Sequence, residues 1–202
     1  MARFLVITNA SAFFKLFQRE GDVLLVGYFL PVSDAGYYRL ARSIAEVMSF
    51  PVTPLYAACY PEFARLWQNR QLGELRRMGW LVLRLTASAA AITALLLAAL
   101  AEPIIRLTVG TQYLPALPVL YWLAVGAALA FATAIVHPLL LATDRPGASL
   151  LAIGLGVTVQ FLALITLLPR IGVVAAGVAY VAFYSAWIAV VAVATAQLRH
   201  TG

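Results

Sequence analysis

Cysteine, histidine, lysine and charge in general are scarce in this chain of 202 residues. Each scarcity removes a class of protein. A single cysteine, Cys59, excludes an intramolecular disulfide and a cysteine-rich metal site. Only Lys15 among the 14 basic residues is lysine, and only 11% of residues are charged, against about 25% in a soluble domain. Hydrophobic residues make up 63% of the chain, more apolar surface than a soluble core of this size could hide. The expected solvent is therefore lipid, and the fold class all-α and integral to the membrane. The net charge of +6 does not point to nucleic acid, because the arginines are scattered through apolar segments and short loops with no aromatic-rich basic face. No nucleophile constellation, metal-ligand spacing or phosphate loop is present. The chain is expected not to be an enzyme, with no catalytic residue, no metal and no cofactor. The N-terminal stretch "MARFLVITNASAFFKLFQREGD" is broken by polar residues and lacks a small-x-small cleavage site, so it reads as part of the first helix.

A membrane-crossing helix needs about 20 mostly apolar residues. Six stretches qualify, at approximately 4–30, 35–66, 78–101, 114–142, 147–168 and 173–198. They are separated by turn-forming sequences: "PVSDAG", "RQLGELRR", "VGTQYLP", "TDRPG" and "LPRIG". The expectation is one transmembrane bundle over 1–202. With both termini in the cytoplasm, Arg3, Arg65, Arg70, Arg76, Arg77, Arg84, Arg145 and Arg199 fall inside and only Arg106 and Arg170 outside. That split obeys the positive-inside bias. The stretch "ARLWQNRQLGELRRMGW" reads either as a short amphipathic interfacial helix or as a solvated loop.

The first two stretches carry charge where the last three carry none. On a helical wheel, Thr8, Ser11, Lys15, Gln18, Arg19 and Asp22 occupy one wedge of roughly 100°. Arg39, Arg42, Ser43, Glu46, Ser49 and Thr53 occupy another of roughly 120°. A charge at the bilayer centre costs about 2.5–3.5 kcal/mol or more, so neither stripe can face lipid. Two readings remain open. The charges pair as helix–helix glue, with Arg42 on Glu46 at i,i+4 and Lys15, Arg19 and Asp22 among themselves. Alternatively they line a wet cavity, where Lys15, Arg19, Arg39 and Arg42 bind an anion such as a phosphate, and Asp22 and Glu46 pair or couple charge. Glu20 falls off the stripe. Pro51, Pro54, Pro115, Pro118 and Pro138 are expected to bend the second and fourth stretches. His137, alone among apolar residues, is expected to be packed and hydrogen-bonded.

Several motifs resemble one family in order and spacing. "DVLLVGYFLPVSDAGYYRLARSI" resembles the segment joining the seventh and eighth spans of oligosaccharide flippases in the multidrug/oligosaccharidyl-lipid/polysaccharide exporter superfamily. "PEFARLW", "IIRLTVGTQYLPALPVLYWLA", "LLLATDRPGAS" and "LLPRIGVVAAGVAYV" resemble later stretches of the same proteins, in the same order. The resemblance implies two six-helix bundles around a central cavity lined by the first two helices of each, of which this chain matches the C-terminal one. It implies movement of undecaprenyl-diphosphate-linked sugars across the membrane, with Arg19, Arg39 and Arg42 meeting the diphosphate. Family members have twelve to fourteen spans, so this chain is expected to be a fragment, a split gene product or half of an assembly. Its partner would then be an N-terminal six-helix half or a second copy. An ion-coupled antiporter of the same superfamily and a non-transporting scaffold or remnant are the alternatives.

Overall fold

The computed structural model describes residues 20–143 and 146–196, and among them helices carry the fold with no strand. Helix α1 covers 20–29. It is followed by α2 (Val32–Glu46), a 3₁₀ turn (Val47–Ser49), α3 (Val52–Gln68) and α4 (Leu72–Thr108). A second 3₁₀ turn (Thr111–Ala116) leads into α5 (Leu117–Ala132), α6 (Val136–Ala142), α7 (Pro146–Ile171) and α8 (Val174–Ala196). Among the described residues, four stretches are long and apolar enough to cross a membrane: Leu72–Thr108, Thr111–Ala142, Gly147–Ile171 and Val174–Val193. Residues 1–19, with Arg3, Lys15, Arg19 and the start of the first expected span, lie outside the described residues. So do Asp144, Arg145 and 197–202 with Arg199.

The stretch 35–66, expected as one helix, is two. Pro51 and Pro54 do not bend a continuous helix; they open a new one. Pro51 is the N-cap of α3 and Pro54 lies in its first turn, where a backbone N–H has no intrahelical partner to lose. The stretch 114–142 divides in the same way. Pro118 sits in the first turn of α5, and α5 stops at Ala132, upstream of Pro138. At this second break the Val136 N–H bonds the Thr133 carbonyl, 3.0 Å away, and the Ala132 carbonyl is left over. The hydroxyl of Thr86 on α4 donates to it at 2.9 Å. A freed backbone carbonyl in hydrocarbon needs such a partner. Thr86→Val is therefore expected to destabilise the bundle by about 1–3 kcal/mol, while Thr86→Ser stays near wild type. Unfolding in detergent, followed by circular dichroism, measures the difference.

The charged stretch after α3 is neither a separate interfacial helix nor a loop. The chain turns within 69–71, where Arg70 takes a left-handed φ of 54°, and "LGELRRMGW" forms the opening turns of α4. With 37 residues, α4 is about 55 Å long, well beyond a hydrocarbon core of about 30 Å.

Helix α5 is central. It packs on α2, α4 and α8, while α7 packs along α8, and α3 packs on α6. The tightest approaches use glycine. A Cβ on Gly126 of α5 would lie 2.3 Å from the Tyr180 ring, and one on Gly177 of α8 would lie 2.5 Å from the Trp122 Cβ. Gly21 of α1 similarly accommodates the Phe161 ring of α7. One apolar cluster gathers Val26, Ile105, Ala116, Leu168 and Ala175, at the end of the bundle where α1 meets α2, α4 meets α5 and α7 meets α8. Another gathers Phe63, Leu66, Leu75 and Ala142, where α3 meets α4 and α6 ends. Leu75 and Ile105 are about 45 Å apart along α4, so the two clusters mark opposite ends of the molecule. Arg65, Arg70, Arg76 and Arg77 belong to the second end; Arg106 and Arg170 belong to the first.

Candidate functional site

Asp22 on α1 is 2% exposed, and an apolar bundle tolerates a buried carboxylate only with partners. Two side chains of α2 supply them. The Tyr38 hydroxyl donates to Asp22 Oδ2 at 2.7 Å, and Arg42 Nη1 donates to Asp22 Oδ1. The same Nη1 lies 3.1 Å from the Tyr38 oxygen, and Arg42 Nε reaches Glu46 Oε1 at 3.3 Å. Tyr38, Arg42 and Glu46 follow one another at i,i+4 spacing, so one ridge of α2 presents all three. The guanidinium of Arg42 lies 5.9 Å from the centre of the Tyr38 ring. Charge, hydroxyl and two carboxylates form one network that ties α1 to α2.

Arg39 points elsewhere. It is exposed, and among the described residues its side chain makes no ion pair. It lines an open cleft of about 130 Å³ together with Glu20, Val23, Arg42, Ser43 and Glu46. On the other side of Arg42, toward α5 and α8, lies a cavity of about 30 Å³, lined by Tyr38, Ala45, Leu123, Ala127 and Tyr180 among others. That is about the volume of one water molecule.

The sequence-predicted residues thus separate. Asp22, Arg42 and Glu46 come together as an ion-paired group, the arrangement the glue reading expected between Arg42 and Glu46. Arg39 stands beside the group on the open cleft. Glu20, which falls off the wheel stripe, lines the same cleft as Arg39. Lys15 and Arg19 lie outside the described residues. Among the described residues, Arg42 pairs with Asp22 and Glu46, while Arg39 and Glu20 share the open cleft. Tyr38 was missed. Its signals were its position four residues before Arg42 and the need of a buried phenol for a hydrogen-bond partner. His137 is packed as expected, with Nδ1 2.7 Å from the Ser149 hydroxyl on α7.

A helical bundle with four membrane-length apolar helices and a charged network between its first two helices is a polytopic membrane protein. A sequence profile of the polysaccharide biosynthesis protein family matches residues 1–118, which include both helices of the network. The chain belongs to that flippase-like family. Neither the comparison with curated proteins nor that with solved structures gives a match.

Proposed function

We propose that the chain is the C-terminal, six-span lobe of a carrier that moves an undecaprenyl-diphosphate-linked oligosaccharide across the bacterial cytoplasmic membrane, and that it is not an enzyme. The observation that carries this reading is the open cleft on the α1–α2 face. Arg39 stands there exposed, with no ion pair among the described residues. A fork of five N–H donors suits a diphosphate. Family membership supports the setting in polysaccharide synthesis. The grouping of helix ends supports six passes: two expected turns lie at the arginine-rich end and three at the other. The opposite wall of the cleft would come from an N-terminal six-helix half or a second copy.

The two arginines then have different tasks. Arg39 contacts substrate; Arg42 holds α1 against α2. Arg39→Ala is expected to cut translocation of lipid-linked oligosaccharide at least about ten-fold at unchanged abundance, as the loss of a charge-assisted hydrogen bond implies. The measurement is appearance of the glycan on the far leaflet in cells lacking their own flippase, with the N-terminal half co-expressed. Full translocation by Arg39→Ala would defeat the reading. A second reading, ion-coupled antiport within the superfamily, draws on the carboxylates of Glu20 and Glu46 on the same cleft and of Asp22 buried behind Arg42. It predicts that Glu20→Gln, and not Arg39→Ala, abolishes transport.

A further inference from the structure

Helix α4 is far longer than a bilayer needs, and its charges show where the bilayer lies. No ionisable residue occurs between Arg84 and Glu102. These two residues are 18 apart, about 27 Å along the helix, which matches the hydrocarbon thickness of about 30 Å. At the far boundary Arg106 neutralises Glu102, with Nη2 2.6 Å from Oε1. At the near boundary Arg84 has no such partner: neither it nor Arg77 makes an ion pair among the described residues. Arg77 and Arg84 are seven residues apart. That separates them by about 10 Å along the axis and only about 20° around it, so both side chains extend from one stripe. Both are exposed, and Trp80 lies between them, 46% exposed. The nearest carboxylate on the helix, Glu74, lies further from the hydrocarbon and acts on Arg65. Past Arg84 the same stripe continues through Ser88 and Ala91, small and exposed, beside the exposed side chains of Leu81, Leu85 and Ile92.

We infer that this face of α4 is a binding site for an anionic phospholipid of the leaflet nearest the α3–α4 turn. Its phosphate sits between the guanidiniums of Arg77 and Arg84, with Trp80 at headgroup depth and an acyl chain along Ser88 and Ala91. Each element has a separate physical reason. Two unpaired guanidiniums two turns apart can fork onto one phosphate between them. Indole belongs at the membrane interface. Small side chains leave room for a hydrocarbon chain between larger neighbours. A zwitterionic headgroup offers the same phosphate but brings its own ammonium beside the two guanidiniums, whereas an anionic headgroup leaves its negative charge uncompensated for them, so the occupant is the anionic lipid. No residue of this face lines the α1–α2 cleft, and the site does not depend on what that cleft carries.

The test uses the full chain reconstituted in phosphatidylcholine vesicles. Trp80 fluorescence, taken as the difference between the chain and Trp80→Phe, is quenched with brominated-chain phosphatidylglycerol or brominated-chain phosphatidylcholine. At about 1 kcal/mol per basic residue near the surface, two arginines give phosphatidylglycerol an advantage of about thirty-fold in relative binding. R77Q/R84Q is expected to reduce that ratio to near one. R77K/R84K is expected to retain most of it, and serves if the neutral pair does not reconstitute. Equal quenching of the wild-type chain by the two lipids would overturn the inference. So would a phosphatidylglycerol preference that survives R77Q/R84Q, or stronger competition by a polyprenyl diphosphate than by phosphatidylglycerol, which would make the face a substrate entry point.

Discussion

Asp22→Ala is expected to cost about 3–5 kcal/mol, a large share of the stability of a domain this size, because it leaves Arg42 in the bundle with its main counter-ion gone. The Arg42 side chain is 16% exposed and that of Asp22 only 3%, so water can restore little of what is lost. The Tyr38 hydroxyl also loses its acceptor. Asp22→Asn should cost less, since the amide oxygen can still accept from Tyr38 or Arg42. The decisive comparison is the double variant. Asp22→Ala with Arg42→Leu removes both charges together, and is expected to be more stable than Asp22→Ala alone. Unfolding of the four proteins in a mixed-micelle titration gives the coupling. A cost below about 1 kcal/mol for Asp22→Ala, or simple additivity with Arg42→Leu, would mean that the network does not hold α1 to α2.

That network explains why the candidate site was only half legible from sequence. A helical wheel places Arg39, Arg42, Ser43 and Glu46 in one polar wedge and treats them as equals. Arg39 and Arg42 are in fact about 60° apart around α2, and that angle decides their fates. Arg42 turns toward α1, where Asp22 waits; Arg39 turns to the open side. The identity of the buried neighbour depends on how α1 lies against α2, a tertiary fact with no local periodicity. Tyr38 shows the same limit from the other side. It counts as an apolar aromatic in any hydropathy reading, yet its hydroxyl is the hinge pin of the network.

The fold was more legible where glycine and proline punctuate a long apolar run. Gly172, at φ 61°, separates α7 from α8 within the turn that "LPRIG" predicts. Gly110, at φ 94°, does the same after α4. Hydropathy could not show the breaks inside 35–66 and 114–142, because the residues at the breaks themselves, 47–51 and 133–135, are mostly apolar. Proline marked the neighbourhood of each break, but its meaning depends on register. Four residues into a helix it bends the axis; in the first turn it begins a new one.

The second large effect concerns the α5–α8 contact, where Gly177→Val is expected to disrupt the bundle. Even Gly177→Ala should cost about 1–3 kcal/mol, toward the upper end. A methyl there would meet the Trp122 Cβ at 2.5 Å and the Val119 carbonyl oxygen at 3.1 Å. Both belong to the fixed part of α5, so only a separation of the two helices relieves the clash. That distinction can be tested. Gly126→Ala also collides across the same interface, but with the ring of Tyr180, Cδ1 at 2.3 Å. Shortening that partner in Gly126→Ala/Tyr180→Ala should recover part of the loss, because the obstructing atoms are removed. Trp122→Ala keeps its Cβ and should recover nothing for Gly177→Ala. Gly154→Ala on α7, where a methyl meets nothing within 4 Å, provides the opposite control. It should raise stability by up to about 1 kcal/mol through helix propensity alone. Thermal unfolding in one detergent ranks all six variants. If Gly177→Ala proved as harmless as Gly154→Ala, α5 and α8 would not approach as closely as described, and the placement of Tyr180 beside Arg42 would fall with that contact.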